Sequence, residues 1–292
     1  MLVHTKDLLK DAQVNKYAVG AFNTCNLEMT LGIIHAAQEA HSPVIVQVTE
    51  NEIKYAGLKP ITHIVETIAK NEAINVPVAL HLDHGKSFHS VAECIHAGFS
   101  SIQIDASELP FDENIVLTKQ VADYAHKYGV WVQGELGAMQ GKEGAMAIKL
   151  GKDFNMEKYM TNPDQVAEFI EKTNVDTLAV SVGTIHGMFP GIEKVDHERL
   201  KKIGSLVNIP LVLHGASGTA DKDIEGAIEE GIRIINIGTE LRVAFAKALR
   251  STLLENYDEY DPRKILSCAT DEVKNAAMVK MDLFKSSGRI KF

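Results

Sequence analysis

Cysteine is scarce in this chain: three in 292 residues, Cys25, Cys94 and Cys268, far apart and without a CxxC pair. That usage fits a reducing compartment better than a disulfide framework. Long apolar runs are missing as well; none approaches the roughly 18 residues of a membrane-spanning helix. The N-terminal segment MLVHTKDLLKDAQ is polar and amphipathic, with no apolar stretch of signal-peptide length. A soluble, cytoplasmic protein with no membrane partner is therefore expected. Dense basic runs are lacking too. The formal net charge is −9, and the nearest basic cluster, Lys280 to Lys291, is mixed and short. Nucleic acid is thereby excluded as the principal partner, because a phosphate-backbone binder needs a basic face. A phosphorylated small molecule, which needs only a few local donors, is not excluded.

No low-complexity tract or Pro/Ser-rich linker divides the sequence, so residues 1–292 are expected to form one domain, and a hydrophobic content of 45% is enough for a sizeable core. What recurs is a short apolar run, a polar or Gly-containing junction, and then a helical stretch. Continuous apolar runs are the mark of parallel strands covered on both faces. Eight are present, at residues 17–22, 43–49, 78–82, 101–105, 130–135, 177–182, 211–213 and 233–237. Helices are predicted between and after them at 28–40, 61–71, 87–97, 114–128, 164–172, 196–207, 221–230 and 240–255. Pro43, Pro77 and Pro210 each stand just before a run, and Gly98, Gly129 and Gly231 supply helix ends. Eight alternations predict an α/β fold, a (β/α)8 TIM barrel with a C-terminal helical extension beyond Asp261. A doubly wound open sheet, the alternative, normally stops nearer five or six strands.

In such a barrel the active site forms at the C-terminal ends of the strands. Those ends carry Asn23, Glu50, Asp83 with His84, Asp105 with Ser107, Glu135, His186, His214 with Ser217, and Asn236 with Thr239. The opposite junctions read NVP, AGF, KYG and NIP, ordinary turn chemistry. Polar, ligand-type residues thus gather on one face. His84, His186 and His214 follow the third, sixth and seventh strands, and three neutral imidazoles with an open position suit a catalytic zinc ion. The chain has 12 histidines. Those on predicted helices, such as His35, His63, His96 and His126, are better explained as solvated or second-layer groups, and His81, inside the third strand, as a satisfied core or second-layer residue. Asp83 precedes a candidate ligand and has two readings from spacing alone: a general base, or a partner that orients a histidine. HGASG after the seventh strand and NIGT after the eighth are Gly-rich turns entering helices, where backbone N–H groups can wrap an oxyanion. The long, Gly-studded connection from Leu136 to about Thr161 has the size of a lid, with Glu143 its acidic residue best placed to enter the site.

These segments carry a family resemblance. GAFNTCNLE, VALHLDHG, SIQIDASELPFDENI, the pair GELG and GKEG, SVGTIHG, LVLHGASG and INIGTEL, in this order and over essentially the whole chain, resemble the class II fructose-bisphosphate aldolases and their ketose-bisphosphate relatives. The resemblance implies zinc on His84, His186 and His214. It implies Asp83 as the carboxylate that exchanges a proton with the C4 hydroxyl, and Asp105 and Glu135 as acidic positions near the metal. Glu143 matches a lid glutamate implicated in proton transfer. Asn23 stands among the substrate-facing strand ends, and Gly187, Gly215, Ser217, Asn236 and Thr239 match the phosphate and enediolate cradle. A monovalent cation, Na+ or K+, often lies near that phosphate. The reaction implied is reversible retro-aldol cleavage of fructose 1,6-bisphosphate, or alternatively of tagatose 1,6-bisphosphate or another phosphorylated ketose, to dihydroxyacetone phosphate and glyceraldehyde 3-phosphate with zinc as electron sink, in a homodimer or homotetramer. There are departures. Relatives commonly read DGSH or DASH where this chain has Asp105-Ala106-Ser107-Glu108. Many read NxDTD where it has Asn236-Ile237-Gly238-Thr239-Glu240, which moves it towards the tagatose-type pattern. Some fructose-type relatives have a lysine after the sixth-strand HG, where Met188-Phe189-Pro190 stands here, and Lys280 is the counterpart of the basic residue that meets the distal phosphate. Other chemistries remain alongside: a Schiff-base aldolase, although TLAVSV, LVL and RIINI contain no lysine; a metal-dependent barrel hydrolase, disfavoured by Phe22-Asn23 in place of an HxH pair; and an inert sugar-phosphate binder.

Overall fold

The computed structural model describes residues 2–138, 155–187 and 194–290. In it eight parallel strands close on themselves in chain order: β1 Val19–Asn23, β2 Val44–Thr49, β3 Val78–Gly85, β4 Ser101–Ile104, β5 Trp131–Leu136, β6 Thr177–Val180, β7 Leu211–Leu213 and β8 Ile232–Ile237. The ring is completed by β1 beside β8, with Gly20 opposite Ile235 and Ala21 opposite Asn236. The fold is the expected (β/α)8 barrel.

Successive side chains of a strand point to opposite faces, so each strand serves two cores. Outward residues such as Val44, Val46, Val48, Val78, Leu80, Leu82, Ile102 and Ile104 are fully buried or nearly so beneath the surrounding helices. Each such side chain removed from water contributes about 1.5–3 kcal/mol. Inward residues Val19, Ala21, Ile45, Ala79, Ala179, Val212 and Ile234 form a separate apolar cluster with Leu8, Leu9 and Ala12. Those three belong to α1 (Thr5–Asn15), which is capped by the His4 ring accepting from the Lys6 N–H. The helix closes the lower end of the barrel, and Thr5 Oγ1 lies 2.7 Å from Ser101 Oγ on the β4 strand. The polar N-terminal segment therefore plugs the base of the barrel. Its signal is the Leu8-Leu9-Ala12 stripe, a helical face of only three residues.

Two further differences have local causes. A short helix, α3 (Glu50–Ala56), follows β2 directly, nucleated by a capping box between Thr49 and Glu52. The T-x-x-E spacing was its signature. At the top of the barrel β3 runs three residues past its predicted end at 82, because Asp83 stays paired with Thr49 of β2 and Gly85 pairs with Ile104 of β4 after a register shift.

The remaining helices of the barrel wall are α4 (Leu58–Asn71), α5 (Phe88–His96), α6 (Phe111–Ala125), α7 (Pro163–Thr173), α8 (His197–Leu206), α9 (Asp221–Glu229) and, after β8, α10 (Thr239–Glu255); the C-terminal extension beyond Asp261 is α11 (Pro262–Leu283). α11 lies along α2 (Leu27–Ala40), and the segment after it is tied to the base of the barrel: Ala18 N–H donates to Phe284 O, and Gly288 N–H to Ala40 O. Among the described residues, no helix is long and apolar enough to cross a membrane. The seam between α2 and α11 depends on Gly32, where a Cβ would sit 2.8 Å from both Thr270 O and Val273 Cγ1. Both neighbours are fixed, one being backbone and the other a buried branched side chain, so neither can yield cheaply. Gly32→Ala is expected to destabilise the fold by about 1–3 kcal/mol through overpacking, read as a lower midpoint in urea unfolding; an unchanged midpoint would show that the seam is loose.

Candidate metal centre and active site

Inward positions change character up the barrel. Above the apolar layer come Gln47, His81, Gln103, Gln133 and Asn236, and above them Asn23, Asp83, Asp105, Glu135 and His214, nearly all of them buried. A lumen that narrow admits no bulk water, so these groups must satisfy one another as far as they can.

Strand alternation alone would send Asp83 and His84 to opposite faces. His84 instead has φ 48°, in the left-handed region, at the register shift between Leu82 and Gly85. A non-glycine residue there is strained, by about 1–3 kcal/mol in general. The effect is to bring both side chains to the mouth, with His84 Nε2 3.8 Å from Asp83 Oδ1. His186, just beyond β6, and His214, at the end of β7, complete the group. Ring centroids of His84 lie 5.0 Å from His186 and 4.7 Å from His214, and His84 Nε2 stands 3.1 Å from His214 Nδ1. One nitrogen from each of the three rings falls within 4.8 Å of the other two. Nitrogens sharing one tetrahedral ion at about 2.0–2.1 Å stand roughly 3.3 Å apart, so this spacing suits a common divalent ion.

The electrostatics point the same way. Burial, then the neighbouring His84 and His186, hold the His214 pKa well below the usual histidine range, leaving that ring neutral with a lone pair to offer. Burial would also drive the proton from His84, but Asp83, Asp105 and Glu135 reverse this and raise its pKa to about 10. Three carboxylates around buried imidazoles thus call for a cation at this place. The residues fit a divalent metal.

The rings are oriented from behind. His84 Nδ1 lies 2.8 Å from Asp105 Oδ2, and that oxygen also accepts from Lys86 Nζ at 2.5 Å. Ser107 Oγ donates to Asp105 Oδ1 at 2.7 Å. Burial opposes ionisation of Asp105, but His84 and Lys86 outweigh it and hold the carboxyl well below the usual range. Glu135 Oε2 accepts from Gln103 Nε2 at 2.6 Å and lies 3.8 Å from His84 Nδ1. His84, Asp105 and Glu135 therefore form a second group with metal-ligand spacing on the other edge of the same ring. Gln133 and Asn236 touch His214 Nε2 at 3.0 and 3.3 Å.

Asp83 is buried at the centre of a clasp of amides. Its Oδ2 accepts from Asn23 Nδ2 at 2.9 Å and Gln47 Nε2 at 3.3 Å, and its Oδ1 from Asn236 Nδ2 at 3.1 Å. Beside it Asn23, His186, Gly187, Gly215, Ser217, Asn236, Gly238 and Thr239 line one recess, which ends at the first residue of α10. No side chain caps that helix, so its N-terminal donors are open to an anion. Gly215 has φ +67°, and a Cβ there would meet the Ile185 backbone at 2.8–2.9 Å. Only glycine lets these two loops touch.

Asn23, Asp83, His84, Asp105, Ser107, Glu135, His186, His214, Ser217, Asn236 and Thr239 come together here, whereas Glu50, at the start of α3, accepts instead from the Lys86 N–H and Ser90 Oγ. Three further expectations fare differently. Lys280 does not line the recess: its buried ammonium pairs with Glu240 at 2.9 Å, and its charge is committed there rather than to a distal phosphate. His81 is only half satisfied, with Nδ1 2.8 Å from Ser101 Oγ and Nε2 without a partner; burial lowers its pKa to about 3. Glu143 and the Met188-Phe189-Pro190 run lie outside the described residues. Sequence reasoning missed Gln47, Gln103, Gln133 and Lys86. A glutamine in the middle of an otherwise apolar strand, as in VIVQVT, SIQI and WVQGEL, was the available signal for the first three.

Comparison with known proteins agrees with this geometry. The model of the family described as fructose-bisphosphate aldolase class-II matches residues 3–289. The chain is 41% identical over 291 residues to a fructose-bisphosphate aldolase of Staphylococcus epidermidis, covering 99% of both chains. It is 42% identical over 289 residues to one of Geobacillus stearothermophilus, covering 99% of this chain and 98% of the other. Among solved structures, the YdjI aldolase of Escherichia coli K12 superposes with a TM-score of 0.85 at 35% identity over 100% of both chains. A putative fructose-1,6-biphosphate aldolase of Coccidioides immitis gives 0.86 at 26% identity, covering 98% of this chain and 97% of that one. A family match over nearly the full length, on a barrel whose mouth gathers three imidazoles and a clasped carboxylate, places the chain in the class II fructose-bisphosphate aldolase family, an aldehyde-lyase family.

Proposed function

We propose that this enzyme is a zinc-dependent ketose-bisphosphate aldolase that reversibly cleaves fructose 1,6-bisphosphate to dihydroxyacetone phosphate and glyceraldehyde 3-phosphate. The observation that carries the reading is the convergence of one nitrogen each from His84, His186 and His214 beside the buried Asp83 carboxylate. Zinc held by those nitrogens would serve as a Lewis acid, able to polarise a ketone and to stabilise negative charge developing on its oxygen.

The residues divide the remaining work. The recess formed by Gly187, Gly215, Ser217 and Thr239 takes the ketone-side phosphate, using small residues that admit it, hydroxyls, and the α10 N-terminus. Asp83, fixed by Asn23, Gln47 and Asn236, removes the C4 hydroxyl proton as the C3–C4 bond breaks, and returns it in the condensation direction. General-base work requires that proximity first. Asn236 also faces the three-carbon fragment that remains bound, where its amide can donate to developing negative charge. Asp105 and Glu135 hold His84 in place and offset the charge of the site. Glu143 is assigned the proton transfer at the carbon of that fragment. The same reading gives the enzyme a cytoplasmic location, a monovalent cation (Na+ or K+) near the phosphate, and a homodimeric or homotetrameric assembly. The last is supported by Leu254, Tyr257 and Tyr260, which are more than 80% exposed where α10 gives way to α11.

A coupled triose-phosphate assay is the direct test. Cleavage of fructose 1,6-bisphosphate should exceed that of its tagatose epimer and vanish with EDTA; activity that survives chelation and is trapped by borohydride would instead establish a Schiff base. His214→Ala should purify with much less zinc than the one ion per chain expected of the parent, measured by atomic emission. Asp83→Ala should keep its zinc and lose turnover by about 10²–10⁴-fold, the usual scale for a missing general base. Normal turnover in that variant would remove Asp83 from the reaction.

A further inference from the structure

Below the amide clasp lies a second, enclosed space. It occupies the barrel lumen between the α1 plug and Asp83, walled by Ala21, Ile45 and Ile234 and bounded also by Gln47, His81 and Asn236. Each of these three polar side chains carries a buried atom without a hydrogen-bond partner: Gln47 Oε1, His81 Nε2 and Asn236 Oδ1. Leaving one such atom unsatisfied costs about 1–3 kcal/mol. Three around one cavity call for a shared polar partner.

The opposite ends of the same groups are already committed. The Gln47 amide nitrogen donates to Asn23 Oδ1 and Asp83 Oδ2, and that of Asn236 to Asp83 Oδ1. His81 Nδ1 is held by Ser101 Oγ, which is held in turn by Thr5 Oγ1 of the plug helix. What remains without a partner, on side chains that line the cavity, is two amide oxygens and one ring nitrogen. A water molecule matches this set: it donates one O–H to each oxygen and accepts from the ring N–H. The cavity admits a body of that size, and three polar partners are the usual number for a buried water.

We infer that one internal water is a fixed part of this enzyme, held by Gln47 Oε1, Asn236 Oδ1 and His81 Nε2–H, and that His81 thereby acts as a positioning residue for Asp83. The water discriminates between the two ends of each amide. With an oxygen bonded downwards to it, the –NH2 end must point up at the carboxylate. An amide turned over would set oxygen against the Asp83 carboxylate and withdraw a donor. The plug helix, Ser101, His81 and the water thus form one column under the proton-transferring group.

The inference rests on the proposed role of Asp83 for its kinetic part only, and the experiment separates the two. In the zinc-loaded protein, a crystal structure should show one ordered water bonded to the three atoms, and ¹⁵N NMR of histidine-labelled protein should report His81 as the Nε2–H tautomer. His81→Leu should lower kcat roughly 10- to 100-fold, the scale of lost second-layer contacts, with KM and zinc content unchanged. His81→Gln, which can donate upwards and accept from Ser101, should restore most of it. An empty cavity, a cation there, an Nδ1–H tautomer, or a His81→Gln variant as impaired as His81→Leu would overturn the inference. Should His81→Leu fail to fold, the wild-type water and tautomer and the His81→Gln rates still decide. If the water and tautomer are as described but the parent cleaves no ketose bisphosphate, the proposed function fails and the water remains.

Discussion

Every second residue of eight closed strands must enter a lumen with no room for bulk solvent, and the molecule is organised around that constraint. At the base the answer is apolar: Ala21, Ile45, Ala79 and Ile234 meet the α1 plug. Higher up the entering side chains are polar, and their hydrogen-bonding capacity is met largely by one another. The result is a stack in which each layer orients the one above. Ser101 holds His81, the amides of Gln47 and Asn236 hold Asp83, and Asp105 holds His84. Chemical reactivity at the mouth is inherited from packing order far beneath it.

Charge follows the same logic. Asp83, Asp105 and Glu135 are all buried or nearly so within reach of His84, with Lys86 the ammonium that touches Asp105. Buried carboxylates are tolerated only when paired or when they coordinate a cation. Here the carboxylates oppose the burial that would otherwise strip His84 of its proton. His214, whose ring nitrogens contact His84, Gln133 and Asn236 rather than a carboxylate, stays neutral. Two imidazoles 3.1 Å apart at their nearest nitrogens cannot both be cationic, and an ion held between them takes the place of a proton there.

Much of this was visible in the chain itself. The eight apolar runs located all eight strands because parallel strands buried on both faces leave a signal independent of tertiary detail, and asymmetry between the two sets of strand ends located the mouth. What was not visible depended on parity and pairing. Gln47, Gln103 and Gln133 look like interruptions until the closed barrel shows that their positions point inwards. The extension of β3 to Gly85 and the turning of His84 depend on neighbouring strands, which no local pattern encodes. Lys280 was placed by analogy, and only the packing of α11 shows its partner to be Glu240. The helix α1 was hidden because just one narrow stripe of it is apolar.

The left-handed backbone at His84 sets stability against function at a single residue. Asparagine or glycine adopts that conformation at less cost than histidine, so the residues most comfortable for the empty barrel are ones that bring no imidazole to the ion. A chain evolving for thermal robustness alone would drift away from histidine there. Holding the position therefore requires continuing selection for the bound metal, and the metal in turn offsets the strain by binding only the folded form.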